Sequence, residues 1–200
     1  RDLAAEMLKS VGVPMPERRL DEYSWQLSGG LRQRAIIAMA LCCHPRLLIA
    51  DEPTTAVDVT TQAQVLRLLR QLQQERNSAI IFITHDLGVI AQMASFVIVM
   101  YLGLVMEQAT VDEIFHAPKH PYTQALLRSI PSVSSQPRAI LPTISGSIPH
   151  PFNKPAGCPF HPRCVKRMPG KCDKRLPALE VVGQDQRASC FLYHDVEVSE

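Results

Sequence analysis

The sequence predicts an α/β fold: a mostly parallel sheet with helices, followed by a small, irregular, Cys-rich C-terminal extension. Three observations predict it. Short apolar runs alternate with stretches of helical periodicity through the first 115 residues, as in a sheet whose strands are joined by helices. Two of those runs, over residues 47–50 and 79–84, end at polar groups, as strands covered on both faces do. The rarer residues are also unevenly placed. Only Pro14, Pro16, Pro45 and Pro53 of the 16 prolines precede position 116, and four of the six cysteines lie from position 158 onward.

Each element has a local reason. Leu3, Met7, Leu8 and Val11 recur at helical spacing and stop at Gly12. Pro14 and Pro16 open a loop with one helical turn over 17–23. Ser28-Gly29-Gly30 precedes a helix over 31–43, with Ser28 or Gly29 at its start. Residues 47–50 form a strand that delivers Asp51 and Glu52 at its carboxyl end, where Pro53 stops the ladder. Val65, Leu68, Leu69 and Leu72 share one face of a helix over 61–76. A second strand over 79–84 ends at His85-Asp86. A helix over 87–94, a strand over 96–101 and a hairpin partner over 103–108 follow. Short helices over 112–115 and 122–129 lead into an irregular, proline-rich stretch over 131–157. Cys42 and Cys43 follow an apolar helix face and read as core residues.

Length and charge exclude several classes. Two hundred residues suffice for one domain with an appendage. A net charge of +2 does not suit a strongly basic nucleic-acid binder, so no nucleic-acid partner is expected. No apolar run approaches the length of a transmembrane helix.

In parallel α/β sheets, functional groups collect at the carboxyl ends of strands. Asp51, Glu52 and His85 fall there, on two different strands. Adjacent carboxylates after a strand can divide the work, one holding Mg²⁺ and the other polarising water. A serine N-cap followed by two glycines leaves backbone N–H groups open to an anion, and the helix dipole adds to that attraction.

Four segments then occur in one order: LSGGLRQR (27–34), LLIADEP (47–53), TTAVD (54–58) and ITHD (83–86). Together they resemble the signature, Walker B with catalytic glutamate, D-loop and switch histidine of ATP-binding-cassette (ABC) ATPases. HPYTQALL (120–127) and the four-cysteine tail resemble the C-terminal extension of ATPase subunits of dipeptide, oligopeptide and nickel importers. The resemblance implies a partial P-loop NTPase fold and an organisation in three parts. Residues 1–115 would be the C-terminal part of the nucleotide-binding domain, 116–157 a helical and Pro-rich linker, and 158–200 the four-Cys region and tail.

It also implies roles. Asp51 would help hold Mg²⁺, Glu52 would be the general base, and His85 would contact the γ-phosphate. Ser28, Gly29 and Gly30 would bind the γ-phosphate of ATP held by a second ATP-binding subunit, and Asp58 would communicate across that dimer. Other implied partners are integral membrane permease subunits and, indirectly, a substrate-binding protein. The implied location is cytoplasmic, peripheral on the inner face of the membrane. Leu31, Val57 and Ser24-Trp25-Gln26 depart from the family pattern without removing a catalytic group.

The 200 residues contain no G-x-x-x-x-G-K-[ST] loop, which would surround the β- and γ-phosphates. Only 26 residues precede Leu27. The chain therefore reads as the C-terminal part of a longer subunit, inactive in isolation. A sheet lacking neighbours would also expose an edge or face prone to self-association.

Cys158, Cys164, Cys172 and Cys190 form the pattern C-x5-C-x7-C-x17-C. Spacing alone leaves zinc and an iron–sulfur cluster open. Residues 154–175 carry seven Lys or Arg against Asp173 alone, a basic shell suited to an anionic cluster. The importer resemblance favours a [4Fe–4S] cluster. Two functions follow: an ATPase subunit energising peptide import, or a vestigial ATPase half retained as a metal- or cluster-binding module.

Overall fold

The computed structural model of the protein describes residues 1–55, 57–130 and 143–193. They divide into two compact units between Met93 and Ala94.

In the first unit the elements are α1 (Asp2–Ser10), α2 (Pro16–Arg19), a 3-10 turn (Ser24–Gln26), α3 (Gly29–Leu41), β1 (Leu47–Asp51), α4 (Val59–Arg76), β2 (Ala79–Ile83) and α5 (Leu87–Met93). Ser28 caps α3, its Oγ accepting the Leu31 N–H at 3.3 Å. Asp58 caps α4, one carboxylate oxygen accepting the Thr61 N–H at 2.9 Å and the other the Thr61 hydroxyl at 2.6 Å. Such caps contribute about 1 kcal/mol each. Asn77 ends α4 in the left-handed conformation.

The core joins Met7 of α1 and Val11 just beyond it, Ile37 and Leu41 of α3, and Val65, Leu68, Leu69 and Leu72 of α4. Burying each large aliphatic side chain contributes roughly 1.5–3 kcal/mol. Leu48, Ile80 and Phe82 pack onto this cluster from the sheet.

β1 and β2 pair in parallel, Leu47 with Ala79 through Asp51 with Ile83. Here the expectation of strands buried on both faces fails. Leu47, Ile49, Ala79, Ile81 and Ile83 share the face opposite the helices and are all exposed, Ile49 at 61% and Ile83 at 48%. A continuous apolar run is the sequence of a doubly covered strand. Within this unit only the helix side is covered.

The second unit contains β3 (Phe96–Tyr101), β4 (Leu104–Thr110), α6 (Val111–His116), α7 (Pro121–Arg128), a 3-10 turn (His161–Arg163), β5 (Glu180–Val181) and β6 (Arg187–Ala188). Its sheet runs β3-β4-β6-β5 and is antiparallel throughout. Among the described residues only β1 and β2 are parallel, so the expected mostly parallel sheet is corrected to a small parallel pair and a larger antiparallel sheet. The reason is local. Leu102 and Gly103 both take positive φ, 48° and 81°, and close a two-residue hairpin that forces antiparallel pairing.

The extension is also less irregular than expected, because β6 pairs Ala188 with Glu107 and Arg187 with Gln108. The helices over 112–115 and 122–129 are present as α6 and α7, with Thr110 and Glu113 forming a capping box. Of the proline-rich stretch over 131–157, residues 131–142 lie outside the described residues, and 143–157 hold no helix or strand.

Candidate functional site

Two groups of site residues assemble in the first unit. At the carboxyl ends of the parallel pair, Asp51 closes β1 and Glu52 follows it. The Glu52 N–H donates to Ile83 O at 2.8 Å, which ties the end of β1 to the end of β2. Glu52 adopts a left-handed φ of 45°, unusual for a residue with a Cβ and costing on the order of 1–3 kcal/mol. Its carboxylate accepts the Thr55 hydroxyl at 2.9 Å and lies 3.1 Å from His85 Nδ1. The Thr55 bond, and then the His85 bond, hold this carboxyl below its ordinary pKa. Both side chains are open to solvent, His85 at 79%. An ionised carboxylate open to water can take a proton from it, while the two hydrogen bonds that lower its pKa orient it at the expense of basicity.

The second group surrounds an open pocket of about 300 Å³. Ser28, Gly29, Gly30 and Leu31 border it from α3, and Asp58, Thr61 and Gln64 from α4. A Cβ on Gly29 would meet nothing within 4 Å, whereas one on Gly30 would lie 3.0 Å from Thr61 Cγ2. Gly30 is therefore set by helix packing, whereas no neighbouring atom requires a glycine at position 29. The amino end of the 13-residue α3 presents its dipole to this pocket. Asp58 sits below its ordinary pKa because Thr61 donates to it twice.

The structure thus brings Ser28, Gly29, Gly30 and Asp58 to one pocket and Asp51, Glu52 and His85 to another point; sequence reasoning places only the second group together. It missed the supports. Thr55 orients Glu52, and its position directly after Asp-Glu-Pro-Thr was a usable signal. Gln33 Nε2 donates to Pro53 O at 2.6 Å, tying α3 to the loop after Glu52. Arg34 donates to Val11 O at 2.6 Å and Gln64 Oε1 at 3.2 Å. Asp86 caps the start of α5 through the Gly88 and Val89 amides and accepts from Gln62. None of these long-range partners can be read from spacing.

In the second unit, Cys158, Cys164, Cys172 and Cys190 border one small cavity of about 20 Å³ with Phe160 and His161. The chain is drawn tight there: the Cys158 N–H donates to Cys172 O at 2.8 Å. Gly157, at φ 71°, is required because a Cβ would fall 2.4 Å from that oxygen. Burial pushes the Cys158 and Cys164 thiols up and Cys190 to about 11. The donor set suits a thiolate-ligated group, yet no three His, Cys, Asp or Glu side chains among the described residues are arranged to hold a metal ion. Cys42 and Cys43 are exposed, which corrects their expected place in the core: they lie beyond the last turn of α3 rather than on its apolar face.

HPY residues act structurally. His120 is buried, caps α7 by accepting the Tyr122 N–H at 3.0 Å, and burial pushes its pKa down to about 4. Glu107, fully buried, accepts from the Lys119 and His120 amides and from Gln186 Nε2.

The serine-glycine helix start, the strand-end acids and the strand-end histidine are the residues by which the chain resembles part of the nucleotide-binding domain of an ABC transporter. The ABC transporter family model matches residues 1–55, and that of the oligopeptide/dipeptide transporter C-terminal region matches 106–172. The chain is similar to the ATP-binding subunits of oligopeptide/dipeptide ABC transporters, over the C-terminal portion of the ABC domain and the C-terminal region that follows it.

Among its relatives, the oligopeptide transport ATP-binding protein AppD of Bacillus subtilis is 51% identical over 98% of this chain and 59% of its own length. The dipeptide transport ATP-binding protein DppD of Escherichia coli is 48% identical over 95% of this chain and 58% of its own. The chain thus spans under three fifths of these curated relatives. The solved structure of cbiO1 from Clostridium perfringens, part of the ABC transporter complex cbiONQ, aligns with TM-score 0.52 and 32% identity over 58% of this chain and 45% of that one. No helix among the described residues is long and apolar enough to cross a membrane.

Proposed function

We propose that this chain forms part of an ATP-binding subunit that energises import of dipeptides or oligopeptides. Glu52 polarises the attacking water, Asp51 helps hold Mg²⁺, and His85 meets the γ-phosphate. Ser28, Gly29 and Gly30 take the γ-phosphate of ATP seated on a second ATP-binding subunit, and Asp58 communicates across that dimer. ATP and Mg²⁺ are the cofactors that ABC chemistry requires. The observation that carries the reading is the Glu52–Thr55–His85 cluster at the ends of the parallel strands. Permease subunits and, through them, a substrate-binding protein complete the assembly at the inner face of the membrane. The bare face of β1 and β2 offers a surface for further polypeptide or for self-association.

Residues 1–115, 116–157 and 158–200 serve as ATPase portion, linker and cysteine region. By the importer resemblance the four tail cysteines would hold a [4Fe–4S] cluster, which would supply redox-active iron, although their side chains are not arranged here to hold a metal ion; bound iron with acid-labile sulfide and a brown absorbance band is the expected result, and stoichiometric zinc without iron refutes it. The functional test mixes the chain with a polypeptide carrying an ABC phosphate-binding loop. Mg²⁺-dependent ATP hydrolysis is expected from the mixture and not from this chain alone. No hydrolysis from the mixture, together with a phenotype only for Cys→Ser changes, would instead support a retained cluster-binding module.

A further inference from the structure

Cys42 and Cys43 belong to neither the ATP site nor the four-cysteine cavity. They follow Leu41, the last residue of α3, and both are exposed. Adjacent residues in extended chain turn their side chains to opposite faces. Here the chain leaves the helix through a tight turn instead. The Cys42 N–H donates to Met39 O at 3.4 Å and the His44 N–H to Leu41 O at 3.0 Å, and His44 takes a left-handed φ of 48°. The turn brings the two sulfurs to 3.8 Å.

The turn is clamped from α4. Arg76 Nη1 donates to Leu41 O at 3.1 Å and to His44 Nδ1 at 3.0 Å. A guanidinium has no acceptor, so His44 Nδ1 accepts. One guanidinium is thereby anchored on both residues that flank the thiol pair and fixes the turn that holds the two sulfurs together.

The donor set decides the ligand. Hard Mg²⁺ and Ca²⁺ take oxygen ligands. Zinc takes four ligands in structural sites, and no three His, Cys, Asp or Glu side chains among the described residues form a metal-holding set. Two soft sulfurs alone suit a soft ion of low coordination number. We propose that Cys42 and Cys43 form a two-thiolate site for a soft monovalent cation of the Cu(I) class. Each thiol gives up its proton as the ion binds, so two protons leave, two sulfur–metal bonds form and no electrons are exchanged.

The test uses the whole chain, reduced, freed of metal and titrated without oxygen with Cu(I) against a chromophoric competing chelator. Bound Cu(I) should fall by one equivalent in Cys42→Ser, by the same amount in Cys43→Ser, and no further in the double variant. Cu(I) should also protect both thiols of the unsubstituted chain from N-ethylmaleimide, read by peptide mass spectrometry. Unchanged stoichiometry in both single variants overturns the proposal. So does full alkylation of Cys42 and Cys43 in the Cu(I)-loaded chain, a result that does not depend on any variant folding.

Discussion

β1 and β2 are written almost wholly in aliphatic residues, yet Leu47, Ile49, Ile81 and Ile83 stand uncovered on one face. β4 reads LVMEQAT, yet its neighbouring residues Met106 and Glu107 are both fully buried. The strand is bulged there, Val99 pairing with Glu107 and Met100 with Val105, so Met106 is the extra residue and the simple alternation of faces is broken where both side chains are buried. Met106 packs with Cys158 and Phe160, while Glu107 binds the loop that leads into α7. The contrast teaches that an apolar strand reports the cover it is suited to, not the cover its own unit supplies. A polar residue can be buried where backbone donors converge on it.

The largest test of this contrast lies in the helix side of the first unit. Leu69→Ala should cost about 2–5 kcal/mol in chemical denaturation, because Leu69 is buried between α4 and its neighbours. A cost near zero would show that the covered side is not the core.

The second unit should weaken in acid. His120 is held neutral by burial, with its pKa lowered from 6.5 to about 4. As pH falls below 6.5 the unfolded chain takes up a proton that the folded one refuses. Stability is therefore full above pH 6.5 and is lost towards pH 4, by about 3 kcal/mol. Melts of the chain and of His120→Asn across that range check it; the variant should lose that part of the pH dependence.

Removing the buried acceptor comes next. Glu107→Ala leaves the Lys119 and His120 amides without their partner and should cost about 1–3 kcal/mol. Faster amide exchange at Lys119 and His120 is the readout. The smallest effect belongs to the open face. Ile49→Thr should change stability by no more than about 0.5 kcal/mol and should reduce self-association in sedimentation. A large destabilisation would mean that Ile49 is covered after all.

What the sequence made legible was local. Ser28 before two glycines marked the start of α3, and the runs ending at Asp51 and Ile83 placed the acids and His85 at neighbouring strand ends. The hairpin at Leu102-Gly103 was legible from its glycine. What stayed hidden depends on distant partners. β5 and β6 are two residues each, too short for periodicity; β6 exists through pairing with β4, and β5 through pairing with β6. The burial of Glu107 rests on Gln186, far along the chain. The exposure of Cys42 and Cys43 depends on where α3 ends, a boundary that apolar composition blurs.

The account rests on Glu52 as the water-activating group of a composite ATP site. The direct measurement is Mg²⁺-dependent ATP turnover of the complex between this chain and a phosphate-loop-bearing ABC polypeptide, with and without Glu52→Gln. The account predicts a turnover loss of about 10²–10⁴-fold with assembly of the complex unchanged. Unaltered turnover in Glu52→Gln would contradict it.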